Sequence, residues 1–432
     1  MGICASQLAS TAFARVYVLD EKVVLAERPF AVIHRGTHRA SGEPVAIKRI
    51  QKAPQNQTHA SDWQSEIAIL RHLSARHPNV IEVREVFETR TEVLVVMEFV
   101  AGGELFDALI SDGAYSEWDA RRLIKDTLEA LKFLHEHNVV HRDIKPENLL
   151  FTSRDSKAAS IKVVNFALAK LADQRSAAAT NEQLTWPYCA PEILTTVDGF
   201  SSIVEGIRRR KSSLVDGQTS SVDGVQSASE TSSLATSSPV EIGVKCDLWS
   251  VGIVLYVLLS GTHPFDLDGR QTKDQIVQNI LVGTFTMSED SAIWSSISKE
   301  AKSLLTMLLQ ADPEKRPSAA QALAHEWFAS PHTPRHPLPV SVSDGLGHYQ
   351  RLMRKKFRTS VLVAMAAETF RRSLKKQRED TEAQRQSAAN APSPGSGDPP
   401  NSKGYQRKTP NLIMKKTFGQ SKQSQLKLAQ AL

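Results

Sequence analysis

Short apolar runs open the chain in a rhythm that favours strands. Val23-Val24-Leu25, Ala31-Val32-Ile33, Val45-Ala46-Ile47 and Val93-Leu94-Val95-Val96 are rich in β-branched residues, and only one helix-like stretch, Ser65 to Leu73, interrupts them. The pattern predicts a small sheet carrying one helix between Tyr17 and about Val100. After Gly102-Gly103 the period changes. Leu123, Leu128, Leu131 and Leu134 recur at helical spacing between Asp119 and His137, which predicts a larger helical lobe. The continuous apolar run Leu248–Leu259 contains Ser250 and follows Asp247, and it falls short of the roughly 20 residues that a bilayer requires. It is read as a buried core helix.

Other stretches lack either rhythm. Between Val197 and Val240 the chain is rich in Ser, Gly and Thr, and such a composition buries too little apolar surface to offset chain entropy. A disordered insertion is expected over about 198–240. It carries the basic run Arg208-Arg209-Arg210-Lys211 before Ser212 and Ser213, a candidate site for basophilic kinases or an ordinary solvated string. Residues 329–345 are expected to be a linker rich in Pro, and Ala389 to Asn401 a second linker before a basic tail.

Composition narrows the function classes. With 41% hydrophobic and 23% charged residues in 432, the chain suits one two-lobed domain with appendages. Three cysteines, Cys4, Cys189 and Cys246, show no CxxC spacing, which argues against a disulfide framework or a zinc site. The net charge of +6 is concentrated beyond the lobes, where ten cations between Arg351 and Arg378 face only Glu368. No broad nucleic-acid surface is indicated.

The string His141-Arg142-Asp143-Ile144-Lys145-Pro146-Glu147-Asn148 resembles the catalytic loop of eukaryotic-type protein kinases at each signature position. The resemblance extends over residues 16–328. Val45-Ala46-Ile47-Lys48 resembles the third-strand lysine motif, with Glu66 as its ion-pair partner. Ala190-Pro191-Glu192 resembles the end of the activation segment, and Arg316 the arginine that pairs with that glutamate. It implies an α+β bilobal fold with a small β-rich lobe and a larger helical one, ATP and Mg²⁺ or Mn²⁺ as cofactors, and protein serine or threonine as acceptor. Asp143 would be the base and Lys145 would steady the transferred phosphate. Lys48, Glu66, Ile33, Glu98, Val100, Glu104, Asn148 and Asn165 would form the nucleotide cleft, with Asn148 and Asn165 as metal ligands. Glu104 and Glu147 also match positions that favour basic residues in substrates.

Two departures stand out. The metal-binding D-F-G of the family is Asn165-Phe166-Ala167 here, and an amide offers Mg²⁺ one neutral oxygen where a carboxylate offers full charge. The lost glycine also removes freedom to adopt positive φ. Ala26, Arg28 and Ala31 stand where the phosphate-cradling glycines would be, with Arg28 able to restore some charge. Two readings follow. One is a serine/threonine kinase with atypical metal and phosphate handling, and the other is a pseudokinase acting as a scaffold tethered to membranes.

The flanks resemble regulatory devices. Met1-Gly2-Ile3-Cys4-Ala5-Ser6 matches an N-myristoylation signal, and Cys4 is a candidate second, palmitoyl anchor in the 1–15 leader. The cytoplasmic face of membranes is the expected location. Within 346–378, Phe357, Val361, Ala364 and Phe370 take relative positions 1, 5, 8 and 14 amid basic residues, so two bulky anchors would lie about 20 Å apart along a helix. The segment resembles the autoinhibitory, calmodulin-binding helix of the calmodulin-dependent kinases. Calcium-calmodulin is therefore an expected partner, and residues 379–432 an expected disordered basic tail.

Overall fold

In the computed structural model, the described residues are 5–28, 31–52, 63–73, 77–113, 115–155, 158–172, 185–216, 239–288 and 290–355. Gly2, Cys4, Phe357, Val361, Ala364 and Phe370 lie outside them, as does the expected basic tail.

The predicted strand rhythm folds as a five-stranded antiparallel sheet. β1 (Tyr17–Arg28), β2 (Ala31–His38), β3 (Pro44–Gln51), β4 (Val83–Glu88) and β5 (Glu92–Glu98) lie in the order β1-β2-β3-β5-β4. Alternation along β3 and β5 sorts side chains between two cores. Ile50, Val93, Val95 and Met97 face α2 (Trp63–Leu73) and the main core, whereas Val45, Ile47, Leu94 and Val96 face the other way.

That second face is covered by a helix. α1 (Ala5–Val16) places Phe13 and Val16 one turn apart, and with Tyr17 they close over Val45, Ile47, Leu94 and Val96. Phe13 meets Phe87 edge-on at 5.4 Å, and Arg39 donates to the Ala14 carbonyl at 2.8 Å. The boundary drawn at residue 15 is thereby corrected. Most of the expected leader is part of the small lobe, because Phe13 has an apolar sheet face to bury.

The larger lobe is built on α3 (Leu105–Asp112) and α4 (Glu117–Glu136). The short strands β6 (Val139–Val140), β7 (Leu149–Phe151), β8 (Ile161–Val163) and β9 (Lys170–Leu171) frame the loops between them. The Leu123, Leu128, Leu131 and Leu134 stripe of α4 is buried, and a capping box between Ser116 and Asp119 fixes its start. After α5 (Pro191–Leu194) and α6 (Ser201–Asp216) comes α7 (Pro239–Ser260). By length and composition the Gly243–Ser260 window of α7 could cross a membrane, yet 83% of it is buried inside the protein, so it is the core helix expected.

The insertion differs from expectation over its first part. Ser201–Asp216 is helical, because Ile203 and Ile207 fall four residues apart and Ile203 packs against the core. Phe200, just before it, is buried beneath the Lys273 ammonium, 4.8 Å from the ring centroid.

The chain continues through α8 (Lys273–Val282), α9 (Ala292–Ser296), α10 (Lys299–Leu308), α11 (Ala319–Leu323) and α12 (Glu326–Ala329). The expected linker 329–345 is not free. Trp118 donates to the Pro334 carbonyl at 3.0 Å and Leu338 to that of Tyr115 at 2.8 Å, and a further helix, α13, already begins at residue 340 and includes the described residues through 355. Val342, Leu346, Tyr349 and Met353 form a stripe at spacings of four, three and four, and all four are buried. Gly261, at φ +74°, and Gly345 let the backbones close up, since a Cβ on Gly345 would meet the Gly261 carbonyl at 2.9 Å.

Candidate active site

The cleft assembles around Asp143. The loop holding it is bent by Arg142, which sits at φ 65°. Asp247, buried within α7, supports that bend: its carboxylate accepts from the His141 and Arg142 amides at 2.9 and 2.8 Å. Burial pushes the Asp247 carboxyl up, but His135 and His141 outweigh it and hold the group below its usual range. His141 is driven down by burial and stays neutral, its Nε2 donating to the Val164 carbonyl and its Nδ1 accepting from the Asp143 amide.

Four donors converge on the Asp143 carboxylate. Lys145 Nζ lies 2.8 Å and Thr185 Oγ1 2.9 Å from Oδ1, while Asn148 Nδ2 and Asn165 Nδ2 lie 2.8 and 3.2 Å from Oδ2. Lys145 also donates to Thr185 at 2.6 Å, so the three side chains form a closed triangle. Thr185 belongs to the segment leading to Ala190-Pro191-Glu192. No local pattern in the sequence gives this threonine a partner.

Across the cleft, Lys48 on β3 and Glu66 on α2 form a buried ion pair at 2.5 Å, each side chain 5% exposed. Its register is set by the sheet, where Lys48 pairs with both Ile33 and Val95. Glu98 ends β5 and receives Lys162 at 2.6 Å, and Val100 packs against the main core beside it. Glu192 and Arg316 form the expected bidentate pair at 2.6 and 3.0 Å.

The phosphate side is built differently. The strand ladder runs on to Arg28 opposite Ala31, with Ala26 opposite Ile33, so side-chain-bearing residues occupy the tip where bare backbone would approach phosphate. The expected metal ligands are turned on each other: Asn165 Nδ2 donates to Asn148 Oδ1 at 3.2 Å as well as to Asp143. Among the described residues no cluster of three or more His, Cys, Asp or Glu could hold a metal ion. Asn165, rather than Ala167, carries the positive φ of this segment, 68°, a region that asparagine tolerates. The lost glycine is therefore accommodated without strain at Ala167. The family implies ATP and a divalent cation such as Mg²⁺, but one carboxylate and two amides engaged with one another do not fit a hard cation.

Glu104, expected both in the nucleotide cleft and at a position favouring basic substrate residues, is engaged by α13: Arg354 donates to Glu104 at 3.0 Å and to Asp107 at 2.5 Å, and Gln350 donates to Asp107 at 2.8 Å. Burial raises the Glu104 carboxyl above its ordinary 4.5, with Arg354 pulling the other way. Beside it, Glu147 has a buried carboxylate oxygen without a hydrogen-bond partner, in a crevice closed by Tyr349 and Met353. Tyr349 donates to the Tyr188 hydroxyl at 2.9 Å. The α13 helix thus covers the acidic groove next to the Asp143 triangle.

Comparison with known proteins agrees with this geometry. Residues 23–204 and 234–328 match the protein kinase domain family. The chain is 34% identical over 298 residues to calcium/calmodulin-dependent protein kinase type IV of Mus musculus, covering 69% of this chain and 52% of that one. It is 32% identical over 320 residues to myosin light chain kinase A of Dictyostelium discoideum, covering 74% and 90%. Other relatives are longer: the chain spans 64% of a probable myosin light chain kinase of Dictyostelium discoideum and 32% of the serine/threonine-protein kinase DCLK3 of Mus musculus. With its two lobes, its catalytic loop and its buried lysine–glutamate pair in place, the chain belongs to the protein kinase family.

Proposed function

We propose that this chain is a serine/threonine protein kinase whose own C-terminal helix covers its acceptor groove, and that calcium-loaded calmodulin lifts the helix away. The observation that carries the reading is the Arg354 bridge to Glu104 and Asp107 beside an assembled Asp143–Lys145–Thr185 triangle. An arginine held by paired carboxylates stands in for a basic residue of a substrate, and the unpartnered Glu147 oxygen marks room for another donor.

With the groove open, a serine or threonine hydroxyl would donate its proton to Asp143 as its oxygen bonds to the γ-phosphorus of ATP. The bond from that phosphorus to the bridging oxygen breaks and ADP leaves. Lys145 stabilises charge on the transferred group, and Lys48, fixed by Glu66, orients the remaining phosphates. The calmodulin anchors Phe357, Val361, Ala364 and Phe370 begin three positions after Arg354 in the sequence, so a partner seizing them would pull on the helix that carries Arg354. The name of the mouse type IV relative supports calmodulin as that partner.

A second reading, a pseudokinase scaffold, is favoured by Ala26, Arg28, Ala31 and Asn165. Phosphate transfer to a basic serine peptide, with and without calcium-calmodulin, separates the two. Membrane tethering through Gly2 and Cys4 belongs to either reading, and supports a location on the cytoplasmic face of membranes. Mass measurement of the N-terminal peptide from a eukaryotic host tests it, and an unmodified glycine would end it.

A further inference from the structure

We propose that ATP binds this cleft without a divalent cation, because the Asn165 amide does the work that a bridging metal ion would otherwise perform. The proposal rests on reading the cleft as an ATP site, but not on phosphate transfer.

Lys48 is paired with Glu66 and Lys145 with Asp143, so these two ion pairs together carry no net charge. A carboxylate at position 165 would add a second anion beside Asp143 and facing the phosphates. Anions confronting one another in a partly buried cleft repel strongly unless a cation lies between them. Asparagine at 165 removes that repulsion and with it the need for the cation.

Geometry supplies the second half. A metal ion shared by residues 148 and 165 would draw them together by their oxygens. Here the same closure is made by hydrogen bonds: Asn165 Nδ2 reaches Asn148 Oδ1 and Asp143 Oδ2, both at 3.2 Å, while Asn148 Nδ2 reaches the Asp143 carbonyl at 2.7 Å and its carboxylate at 2.8 Å. Asn148 and Asp143 are buried, so their part of the network is shielded from water. The amide therefore holds Asp143 in place before any ligand arrives. Magnesium remains free to accompany ATP, but binding does not depend on it.

The test is equilibrium binding of ATP to the full chain, by calorimetry, in EDTA and then in excess Mg²⁺, beside the Asn165→Asp variant. This substitution is nearly isosteric and aspartate tolerates the same positive φ, and thermal unfolding of the variant checks that it folds. The proposal expects wild-type affinities within threefold of each other in the two conditions. It expects Asn165→Asp to lose at least tenfold in EDTA and to regain it with Mg²⁺. A tenfold or greater loss for the wild type in EDTA overturns the proposal, and so does failure to bind in either condition. A variant that matches the wild type throughout overturns the role given to Asn165. Binding in EDTA with no transfer in any condition leaves this inference standing and removes the kinase reading instead.

Discussion

The two walls of the cleft are built to different standards. On the acceptor side, Asp143, Lys145 and Thr185 close a hydrogen-bonded triangle, Asp247 buttresses the loop, and Glu104 and Glu147 line a crevice with Tyr188 and Tyr349. On the phosphate side, the glycines are replaced by Ala26, Arg28 and Ala31 and the metal carboxylate by Asn165. The difference lies on the phosphate side, where the residue types change, while the hydrogen-bonded setting of Asp143 keeps the expected residues.

The largest effect expected is on the acceptor wall. Asp143→Ala removes the proton acceptor and should lower transfer by about 10³-fold, with the fold retained as judged by thermal unfolding. If the variant keeps wild-type transfer, the acceptor wall is not where the chemistry happens. Next in size is the strut between the walls. Lys48→Ala leaves Glu66 buried without a partner and should destabilise the chain by about 3 kcal/mol, measured by chemical denaturation, while weakening ATP binding.

The cover over the acceptor wall gives smaller changes. Gly345→Leu forces a side chain against the Gly261 backbone and should loosen α13, raising calmodulin-independent transfer to a basic peptide by about tenfold. Arg354→Ala should act in the same direction but less, up to about fivefold in KM, because an exposed ion pair contributes only ~1 kcal/mol. A rise in KM in either variant would mean that α13 builds the groove rather than covering it.

The smallest effect is one of pH. The Glu104 carboxyl is raised by burial above its ordinary 4.5, so the stability it contributes is complete below that value and is lost as pH rises through its elevated folded value. Glu104→Gln removes this dependence. Denaturation midpoints should therefore favour the wild type over the variant more at pH 4 than at pH 7.

The catalytic loop, the lysine–glutamate pair and the Glu192–Arg316 anchor were legible in the sequence because each is a short motif at a recognisable interval. Strand and helix lobes were legible from the change of period near Gly102. What the sequence left hidden depends on contacts between distant segments. Arg354 and Asp107 are 247 positions apart, and no local pattern links them. Phe13 looked like part of a leader until the apolar outer face of β3 and β5 gave it a place to pack. Similarly, Ile203 and Ile207 were masked by their serine-rich surroundings. At Asn165 the residue type was plain, but whether its oxygen or its nitrogen faces Asp143 is decided by the surrounding acceptors.

The most direct test of the central claim is transfer of labelled phosphate from ATP to an arginine-containing serine peptide by the full chain, with and without calcium-calmodulin, beside Asp143→Ala. The account predicts transfer that this substitution abolishes and that calmodulin raises about tenfold or more. No transfer above the Asp143→Ala control under any condition would contradict it, and would leave the acceptor wall as a binding surface alone.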